Sequence, residues 1–581
     1  MPFRHSLFVQ PRSVLAVVLA CIFSLAQAEI SHQHRAVIYT AKKIITMDPD
    51  QTEAKAVAVA GGRIVGVGTQ QSLSSLSSQI DTRFEEKIIM PGFIDPHVHP
   101  SLPAVLTQLP FIAPDDWYLP TAYFPSATSP KAYLARLQQL VTEHNNPQQP
   151  FITWGYHPLW HGELFREQLS QLFPDQAVIL WHRSFHEIIV NDAALDLLGI
   201  SKHKLGESEQ VDWHRGHFFE NGMMQIFPYL SHLLAPANYA KGLTNFIDMA
   251  HQGGVTSVMD MGIGVFGNPS AEISMIRSLI ENQAVPLRVV LTPIISDFLA
   301  RDRSIEQAFE EITQWRDGNS SKVLIGNHFK IMLDGAIYSG LAQFSEPGYL
   351  DGHKGVWMNP LEVTERWAQA FWNRGYQIHA HTNGDASAQA LIQILQNLQK
   401  NYPRQDHRLT LEHFAYSTEA QNKQLKELGV AVSANPYYHF ILSDIYSDQW
   451  LGPERGNSMV RLGSLERLGV PFALHSDSPM APLKPLTLVS AAVNRITING
   501  HLTGANERIS LTAALQAITI NAAWIMGWEK QIGSITVGKR ADFTILEQDP
   551  YNVDLSEIKD IPIWGTVFEG QLRPLINNKA P

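Results

Sequence analysis

An apolar stretch of the sequence ends in two histidines: Met90-Pro91-Gly92-Phe93-Ile94-Asp95-Pro96-His97-Val98-His99. Alternate residues of a β-strand point to the same side, so His97 and His99 are placed to bind one metal ion together. The His-x-His spacing has little specificity by itself. The chain has two other such pairs, His32/His34 and His379/His381. The position of His97 and His99 at the end of an apolar run therefore matters more than their spacing.

Seven further runs of apolar and β-branched residues follow, and helical patterns lie between them. The eight runs are Ile88–Val98, Val255–Met261, Leu287–Pro293, Phe329–Leu333, Tyr376–His381, Arg408–His413, Val430–Ala434 and Pro471–His475. The helical patterns include Ala271–Asn282, Ile305–Trp315, Leu361–Asn373, Ala386–Gln399 and 464–468. This alternation predicts an α/β fold, a parallel (β/α)8 TIM-like barrel. Active sites of such barrels lie at the carboxyl ends of the strands, which is where His97 and His99 stand.

Two parts of the chain do not follow the barrel pattern. A long segment, about residues 101–250, separates the first two runs, and a loop of that length must have structure of its own. Strand-like runs at 177–181 and 188–190 and a helical pattern at 192–198 predict a subdomain inserted after strand 1. Short β-type runs stand at both ends of the chain. Because neither end has enough strands for a stable sheet, we expect both to form one small β-sandwich domain.

The predicted divisions are 1–28 for a signal peptide, 29–90 and 528–581 for the β domain, and 91–527 for the barrel with its insert. In the first of these, Arg4 and Arg12 precede the apolar run 13–25, and Ala26-Gln27-Ala28 has small residues at the cleavage positions. We expect cleavage near Ala28 and a periplasmic or secreted protein. A lipoprotein anchored at Cys21 is the alternative, although the residues after Cys21 stay apolar where a lipoprotein turns polar.

Composition excludes several classes of protein. Charged residues make up 17% of the chain and hydrophobic residues 45%, which is too apolar for a disordered protein. A net charge of -11 provides no basic surface for nucleic acid. After the signal, the sequence has no apolar stretch of roughly 18 residues that would span a membrane. With one cysteine and 24 histidines, any metal site must rely on histidine and carboxylate ligands.

Chemically active residues stand at the ends of four more predicted strands. They are Lys330 on strand 4, His379 and His381 on strand 5, Glu412 and His413 on strand 6, and His475 and Asp477 after strand 8. Each has a structural explanation, as a hydrogen-bonded core histidine, a lysine whose charge reaches the surface, or an aspartate that caps a helix. Their recurrence at the same end of five strands favours a shared metal site.

These motifs resemble those of the amidohydrolase superfamily, and within it the amidohydrolase-3 group that includes N-substituted formamide deformylases. The resemblance covers nearly the whole chain after the signal. Besides the strand ends, it includes Pro-Gly-Phe-Ile-Asp at 91–95, Asp334-Gly335, Gly384-Asp385, Ser-Asp-Ser-Pro at 476–479 and Gly-Ser-Ile-x-x-Gly-Lys-x-Ala-Asp-Phe at 533–543. In the insert, His186, Asn191 and the segment Gly216 to Glu220 resemble family elements. Ser184-Phe185 replace the usual Asp-Gly, so we expect a different substrate pocket.

The resemblance implies a site for one or two divalent metal ions of the zinc type. The implied ligands are His97, His99, Lys330, His381, His413 and Asp477. The two histidines of strand 1 and Asp477 would hold one ion, His381 and His413 the other, and Lys330 would bridge them as a carbamate. A one-metal site with fewer ligands is the alternative. His379 would be a neighbouring or substrate-contacting group.

The resemblance also implies a hydrolytic reaction. Zinc-like ions lower the pKa of a bound water from 15.7 toward about 7, which gives a metal-bound hydroxide at neutral pH. Asp477 would take the proton of that water and pass it to the leaving nitrogen, while His186 or Tyr156 would polarise the carbonyl. The expected substrate is a small molecule with an amide or N-formyl or N-acyl amine bond. Aromatic residues of the insert suggest that it has an apolar or aromatic group: Trp154, Tyr156, Trp160, Trp181, Phe185 and Trp213.

Other functions are compatible with the same sequence. A deaminase or a cyclic-amide or ester hydrolase would use the same scaffold. A non-catalytic periplasmic regulatory protein is a further alternative, although all six ligand positions are retained. A solute-binding protein fits the ligand set poorly. We expect a homodimer, with neither a nucleic-acid partner nor a membrane span.

Overall fold

The computed structural model describes residues 36–144, 146–206 and 208–575. The predicted signal peptide at 1–28, with its alternative lipid anchor at Cys21, lies outside the described residues, as does the pair His32/His34. Within the described part of the chain, no helix combines the length and the apolar character needed to cross a bilayer.

Eight strands form the predicted TIM-barrel-like α/β core, and each run identified in the sequence contributes one of them. The strands are Phe93–Val98, Val255–Ile263, Arg288–Pro293, His328–Met332, Gln377–Thr382, Thr410–His413, Ala431–Ala434 and Phe472–Leu474. Neighbouring strands within each sheet are parallel. Every residue of these strands is buried, which explains why they appear in the sequence as continuous apolar runs.

The eight strands lie in two sheets, and regular strand pairing is interrupted where the sheets meet. The first three, extended by the short strand Val323–Ile325, form one sheet, and the other five form the second. A single bridge between Ile294 and Lys330 joins the sheets on one side. On the other side the backbone N–H of Asp477 donates to the carbonyl of His97 at 2.9 Å. The buried Asp95 carboxylate also accepts the backbone N–H of Ser476 at 3.1 Å, so the aspartate of the opening motif joins strand 8 to strand 1.

Helices cover the outside of the strands, and all five predicted helical patterns are present. Beyond the second strand, the helices are Pro269–Ile280, Ile295–Ala300, Ile305–Arg316, Leu361–Asn373, Asp385–Asn401, Glu419–Glu427, Tyr437–Gln449, Gly452–Asn457, Leu462–Leu468, Pro485–Asn494, Leu511–Ala517 and Ile520–Ile525. Short 3-10 helices lie at Ile337–Ser339, Ala505–Glu507 and Leu555–Asp560.

The segment between the first two barrel strands has a sheet of its own. Its five strands, in spatial order, are Val211–Asp212, His217–Phe219, Glu187–Val190, Val178–His182 and Phe151–Tyr156. A two-stranded sheet pairs Trp117–Tyr118 with Tyr123–Phe124. The helices are Ser101–Leu106, Pro130–His144, Pro158–His161, Arg166–Leu172, Asp192–Leu198, Lys202–Leu205 and Pro236–Gln252, with 3-10 helices at Glu220–Gln225 and Phe227–Leu234. Part of the segment shares one hydrophobic core with the barrel, so it packs as an extension of the barrel.

The two ends of the described chain meet in one mixed sheet of seven strands. In spatial order these are Gln571–Pro574, Ile563–Phe568, Phe543–Leu546, Ile80–Pro91, Val37–Ile45, Glu53–Ala60 and Arg63–Gly68, with the short helix Gln70–Leu73 beside them. The sequence predicts a sandwich of two sheets, whereas the seven strands form one continuous hydrogen-bonded sheet. The physical reason is the long strand Ile80–Pro91, which pairs with an amino-terminal strand on one edge and with Phe543–Leu546 on the other.

Candidate metal centre

The residues predicted from the strand ends converge at one end of the barrel. His97, Lys330, His381 and His413 are buried on strands 1, 4, 5 and 6, and Asp477 follows strand 8. His99 comes directly after strand 1 and keeps 16% of its side chain exposed. Parallel strands bring their carboxyl ends to the same rim, so residues far apart in the sequence become neighbours.

Asp477 lies at the centre of this cluster. Its carboxylate oxygens are 3.5 Å from His97 Nε2, 3.4 Å from His99 Nε2 and 3.6 Å from His413 Nδ1. Burial raises the pKa of Asp477 to about 7. His97, His99 and Asp477 each offer a ligand atom within 4.8 Å of the others, which is the trio that the family resemblance assigns to one ion.

Lys330 is buried against the same histidines. Its Nζ lies 3.1 Å from His97 Nε2, and burial lowers the pKa of Lys330 to about 8. A lower pKa increases the fraction of neutral amine at physiological pH. The neutral amine is the form of a lysine side chain that can react with carbon dioxide.

The ligands predicted for a second ion are close together but arranged differently. The rings of His381 and His413 are 4.4 Å apart, yet the Nε2 atom of His381 lies 2.9 Å from Asn383 Nδ2. The second trio of close donor atoms instead combines His97, His413 and His475. His475 is therefore an additional candidate ligand, whereas His381 must release its contact with Asn383 before its Nε2 can bind an ion.

Glu412 orients two histidines of the cluster. One carboxylate oxygen lies 2.7 Å from His97 Nδ1 and the other 2.7 Å from His379 Nδ1. A hydrogen bond from Nδ1 fixes the tautomer and directs Nε2 toward the ion. His379 is held between Glu412 and His328, whose Nδ1 is 3.1 Å from His379 Nε2. The structure thus gives His379 a supporting position outside the cavity.

Replacing Glu412 by Gln is expected to weaken metal binding about 10- to 100-fold, because His97 loses the carboxylate that fixes its ring. Competition with a chromogenic chelator measures the affinity. Glu507→Gln is a matched control, since Glu507 is fully buried and accepts the backbone N–H of Ser464 at 2.7 Å, outside the cluster. Equal affinities in the Glu412 variant and the wild type would contradict the orienting role.

The donor atoms of the cluster fit a divalent cation. His413 Nε2, His475 Nε2, His99 Nδ1 and Asp260 Oδ2 are buried and have no hydrogen-bond partner among the described residues. Buried polar atoms are normally paired, so such a concentration requires an explanation. Nitrogen and carboxylate donors without thiolates are typical of zinc and related ions.

A cavity of about 180 Å³ opens beside the cluster. His99, Lys330, His381, His413 and Asp477 are among the residues that line it. The exposed surface of the cavity is largely apolar, and its lining includes Phe185 and five methionines: Met223, Met224, Met332, Met358 and Met480. A mainly apolar lining with a few convergent polar groups is the usual construction of a small-molecule site.

The insert contributes a second titratable pair to this cavity. His186 Nδ1 lies 2.7 Å from Glu220 Oε2, and both residues line the cavity. Burial disfavours the charged form of His186, but the neighbouring Glu220 carboxylate outweighs it and raises the pKa of His186. The predicted His186 is therefore at the cavity, and Glu220 of the Gly216–Glu220 segment is its partner.

The structure does not bring Tyr156 to the cavity. Its hydroxyl donates to the carbonyl of Gly162 at 2.7 Å and accepts the backbone N–H of Leu164 at 2.9 Å. Tyr156 therefore stabilises a turn within the insert, away from the cavity where its predicted catalytic role would place it. Asn191 is structural too, because its Oδ1 accepts the N–H of Ala194 and caps the helix Asp192–Leu198.

Most aromatic residues predicted to contact substrate are also structural. Trp154 and Trp181 are buried in the hydrophobic core, and Trp160 and Trp213 do not line the cavity. Of the six aromatic residues, only Phe185 does so.

Sequence reasoning missed two other residues near the cluster. Asp260, on strand 2, lies 3.8 Å from His99 Nδ1. The Tyr438 hydroxyl, in the helix Tyr437–Gln449 that follows strand 7, lies 3.2 Å from His413 Nδ1. The sequence marked Asp260 only as a carboxylate within an apolar run and gave no signal for Tyr438.

The barrel and its cluster of histidines, lysine and aspartate define the class of the protein as a metal-dependent hydrolase. The model of the amidohydrolase family matches residues 85–573, and the chain belongs to this family. It is therefore a hydrolase that acts on carbon–nitrogen bonds.

Two relatives and one solved structure show how far the similarity extends. N-substituted formamide deformylase of Arthrobacter pascens is 24% identical over 551 residues, covering 91% of this chain and 96% of that protein. YtcJ of Bacillus subtilis (strain 168), whose name assigns it to the amidohydrolases, is 25% identical over 547 residues, or 91% of this chain and 97% of that protein. An uncharacterized metal-dependent hydrolase from Pyrococcus horikoshii OT3 shares the fold, with a TM-score of 0.67 at 19% identity over 90% of this chain and 99% of that chain.

Proposed function

We propose that the protein hydrolyses the carbon–nitrogen bond of an N-formyl or N-acyl amine. The observation that carries the proposal is the contact of Asp477 with His97, His99 and His413 beside an apolar cavity. The deformylase relative supports this substrate class through the bond that its name specifies.

His97, His99, Asp477, Lys330, His413 and His381 or His475 would hold one or two divalent ions. When bound, such ions supply Lewis acidity that activates water and polarises a carbonyl. We infer that Lys330 contributes as a carbamate, because a positively charged ammonium 3.1 Å from His97 Nε2 would repel a cation.

The side chains of the cavity would transfer the proton, polarise the carbonyl and bind the substrate. A carboxylate placed beside the attacking water can act as a general base and then as a general acid. Asp477 would take a proton from the attacking water and deliver it to the nitrogen, so that the hydroxyl joins the carbonyl carbon as the carbon–nitrogen bond breaks. His186, oriented by Glu220, would donate a hydrogen bond to the carbonyl oxygen. The apolar lining residues would bind the amine substituent and exclude other water.

Metal content and a substrate panel test this function together. We expect the purified protein to contain one to two divalent ions and to hydrolyse N-formyl or N-acyl amines. Removal of the ions by a chelator should abolish turnover, and Zn²⁺ should restore it, because water activation depends on the ion. Turnover confined to aminopurines or to cyclic amides would replace the proposal by deamination or ring opening. A fully metal-loaded protein without any turnover would favour a regulatory role.

We also propose that the protein is exported, on the sequence of residues 1–28. Amino-terminal sequencing of the protein from its native host should begin at Glu29, and fractionation should recover it outside the cytoplasm. Recovery of a chain that begins at Met1 in the cytoplasm would contradict export, whereas a lipid-modified Cys21 would establish the anchored alternative.

A further inference from the structure

A buried cation of the insert contacts the turn that carries Asp477. Arg183 follows the strand Val178–His182, and its side chain is completely buried. The guanidinium donates to the Asp115 carboxylate at 3.2 and 3.0 Å and to the carbonyl of Met480 at 2.9 Å. A buried ion pair contributes little net stability compared with an apolar pair, so the energetics of folding do not by themselves explain this arginine.

Aromatic rings surround the Arg183–Asp115 pair. The guanidinium carbon lies 4.7 Å from the ring centre of Trp154, 5.2 Å from that of Trp117 and 5.0 Å from that of Tyr338. The Tyr437 hydroxyl donates to Asp115 at 2.9 Å. The pair therefore joins the insert to segments that follow barrel strands 4, 7 and 8.

The contacted carbonyl belongs to a tight turn. The backbone N–H of Met480 donates to the carbonyl of Asp477 at 2.8 Å, and that of Ala481 donates to Ser476 at 3.0 Å. Asp477 has a φ of +54°, in the left-handed region that residues with a side chain adopt uncommonly. The Tyr338 hydroxyl also donates to the Met480 carbonyl, at 3.4 Å. Two donors therefore hold the peptide that closes the turn.

We propose that Arg183 is a positioning residue for hydrolysis, which fixes the Asp477 carboxylate through the carbonyl of Met480. The inference rests on the proposed function of Asp477 as the group that moves the proton. The insert then does more than shape the cavity, because its buried cation positions a group in the turn that follows barrel strand 8. Displacement of a reacting group by about 1 Å lowers a rate by up to about 100-fold.

Arg183→Lys tests this role, since a lysine cannot donate to Asp115 with two nitrogens and to Met480 at the same time. We expect kcat to fall about 10- to 100-fold, with KM and metal content nearly unchanged. The matched control is Arg288→Lys. Arg288 is equally buried and paired, with Asp542 and Glu569, but it stands at the amino end of the third barrel strand, away from the cluster. The control should lose thermal stability and keep kcat.

Two further measurements keep the test decisive. Hydrogen exchange of a peptide covering residues 476–484 should be faster in Arg183→Lys and unchanged in Arg288→Lys; equal exchange in the Arg183 variant and the wild type would overturn the proposal. If the lysine variant does not fold, the double variant Arg183→Met/Asp115→Leu removes both charges and leaves neither unpaired. A folded double variant with wild-type kcat and exchange would also overturn it. Wild-type protein without turnover, but with the exchange difference present, would reject the proposed reaction and retain the positioning.

Discussion

Asp477→Asn is expected to lower kcat about 10²- to 10⁴-fold, because an amide cannot accept and return the proton. The substitution keeps the shape of the side chain and one oxygen donor. Metal content should therefore fall much less than activity. Steady-state kinetics with an N-formyl or N-acyl amine, together with elemental analysis of the same preparation, measure both quantities.

Asp542→Asn is the matched control for this substitution. Asp542 is buried and ion-paired with Arg288 at 2.9 Å, so its loss should lower the melting temperature with little change in kcat. If Asp477→Asn kept more than a tenth of the wild-type kcat, proton transfer would have to be assigned to another group. The Tyr438 hydroxyl, 3.5 Å from the Asp477 carboxylate, would be the first to examine.

Lys330→Ala is expected to lower activity by at least about 100-fold and to reduce metal content, since the proposed carbamate would hold ions whose Lewis acidity contributes several kcal/mol. The substitution leaves a buried hole beside His97. A small carboxylate such as acetate or propionate can enter such a hole and replace the carbamate oxygens. We therefore expect added carboxylate to restore part of the activity.

Lys330→Arg is the control for this rescue. It preserves the positive charge, cannot form the carbamate and leaves no hole, so it should be inactive with or without acetate. Intact-protein mass spectrometry under carbon dioxide should detect one added CO₂ in the wild type and none in either variant. An alanine variant with wild-type activity would show that Lys330 neither bridges the ions nor is needed for the reaction.

The sequence predicts the barrel and most of the metal cluster because both depend on local patterns. Eight apolar runs separated by helical periodicity are visible without any tertiary information. A polar residue at the end of such a run must face the same rim as its counterparts, so His97, Lys330, His413 and Asp477 can be grouped in advance. Family resemblance adds His186 in the insert, where no periodic pattern would have found it.

The sequence did not show which contacts a side chain makes where several partners are possible. Tyr156 and the tryptophans of the insert are residue types that often line a substrate pocket. In the structure they stabilise a local turn or pack in or against the hydrophobic core. Glu412 is adjacent to His413 in the sequence, but its contacts with His97 and His379 depend on strands that are distant along the chain. The sequence predicted a β-sandwich where the structure has a single sheet, because the pairing of strands from the two chain ends cannot be derived from either end alone.

The sequence by itself determined that this chain forms an acidic α/β barrel with histidine, lysine and aspartate at its strand ends, because periodicity and strand alternation are properties of neighbouring residues. Only the tertiary structure decided which donors meet. It placed Asp477 among three histidines, directed His97 through Glu412, and brought Arg183 of the insert against the turn of Asp477. Distances of a few ångströms between remote segments depend on how the whole core packs, and no local pattern encodes them.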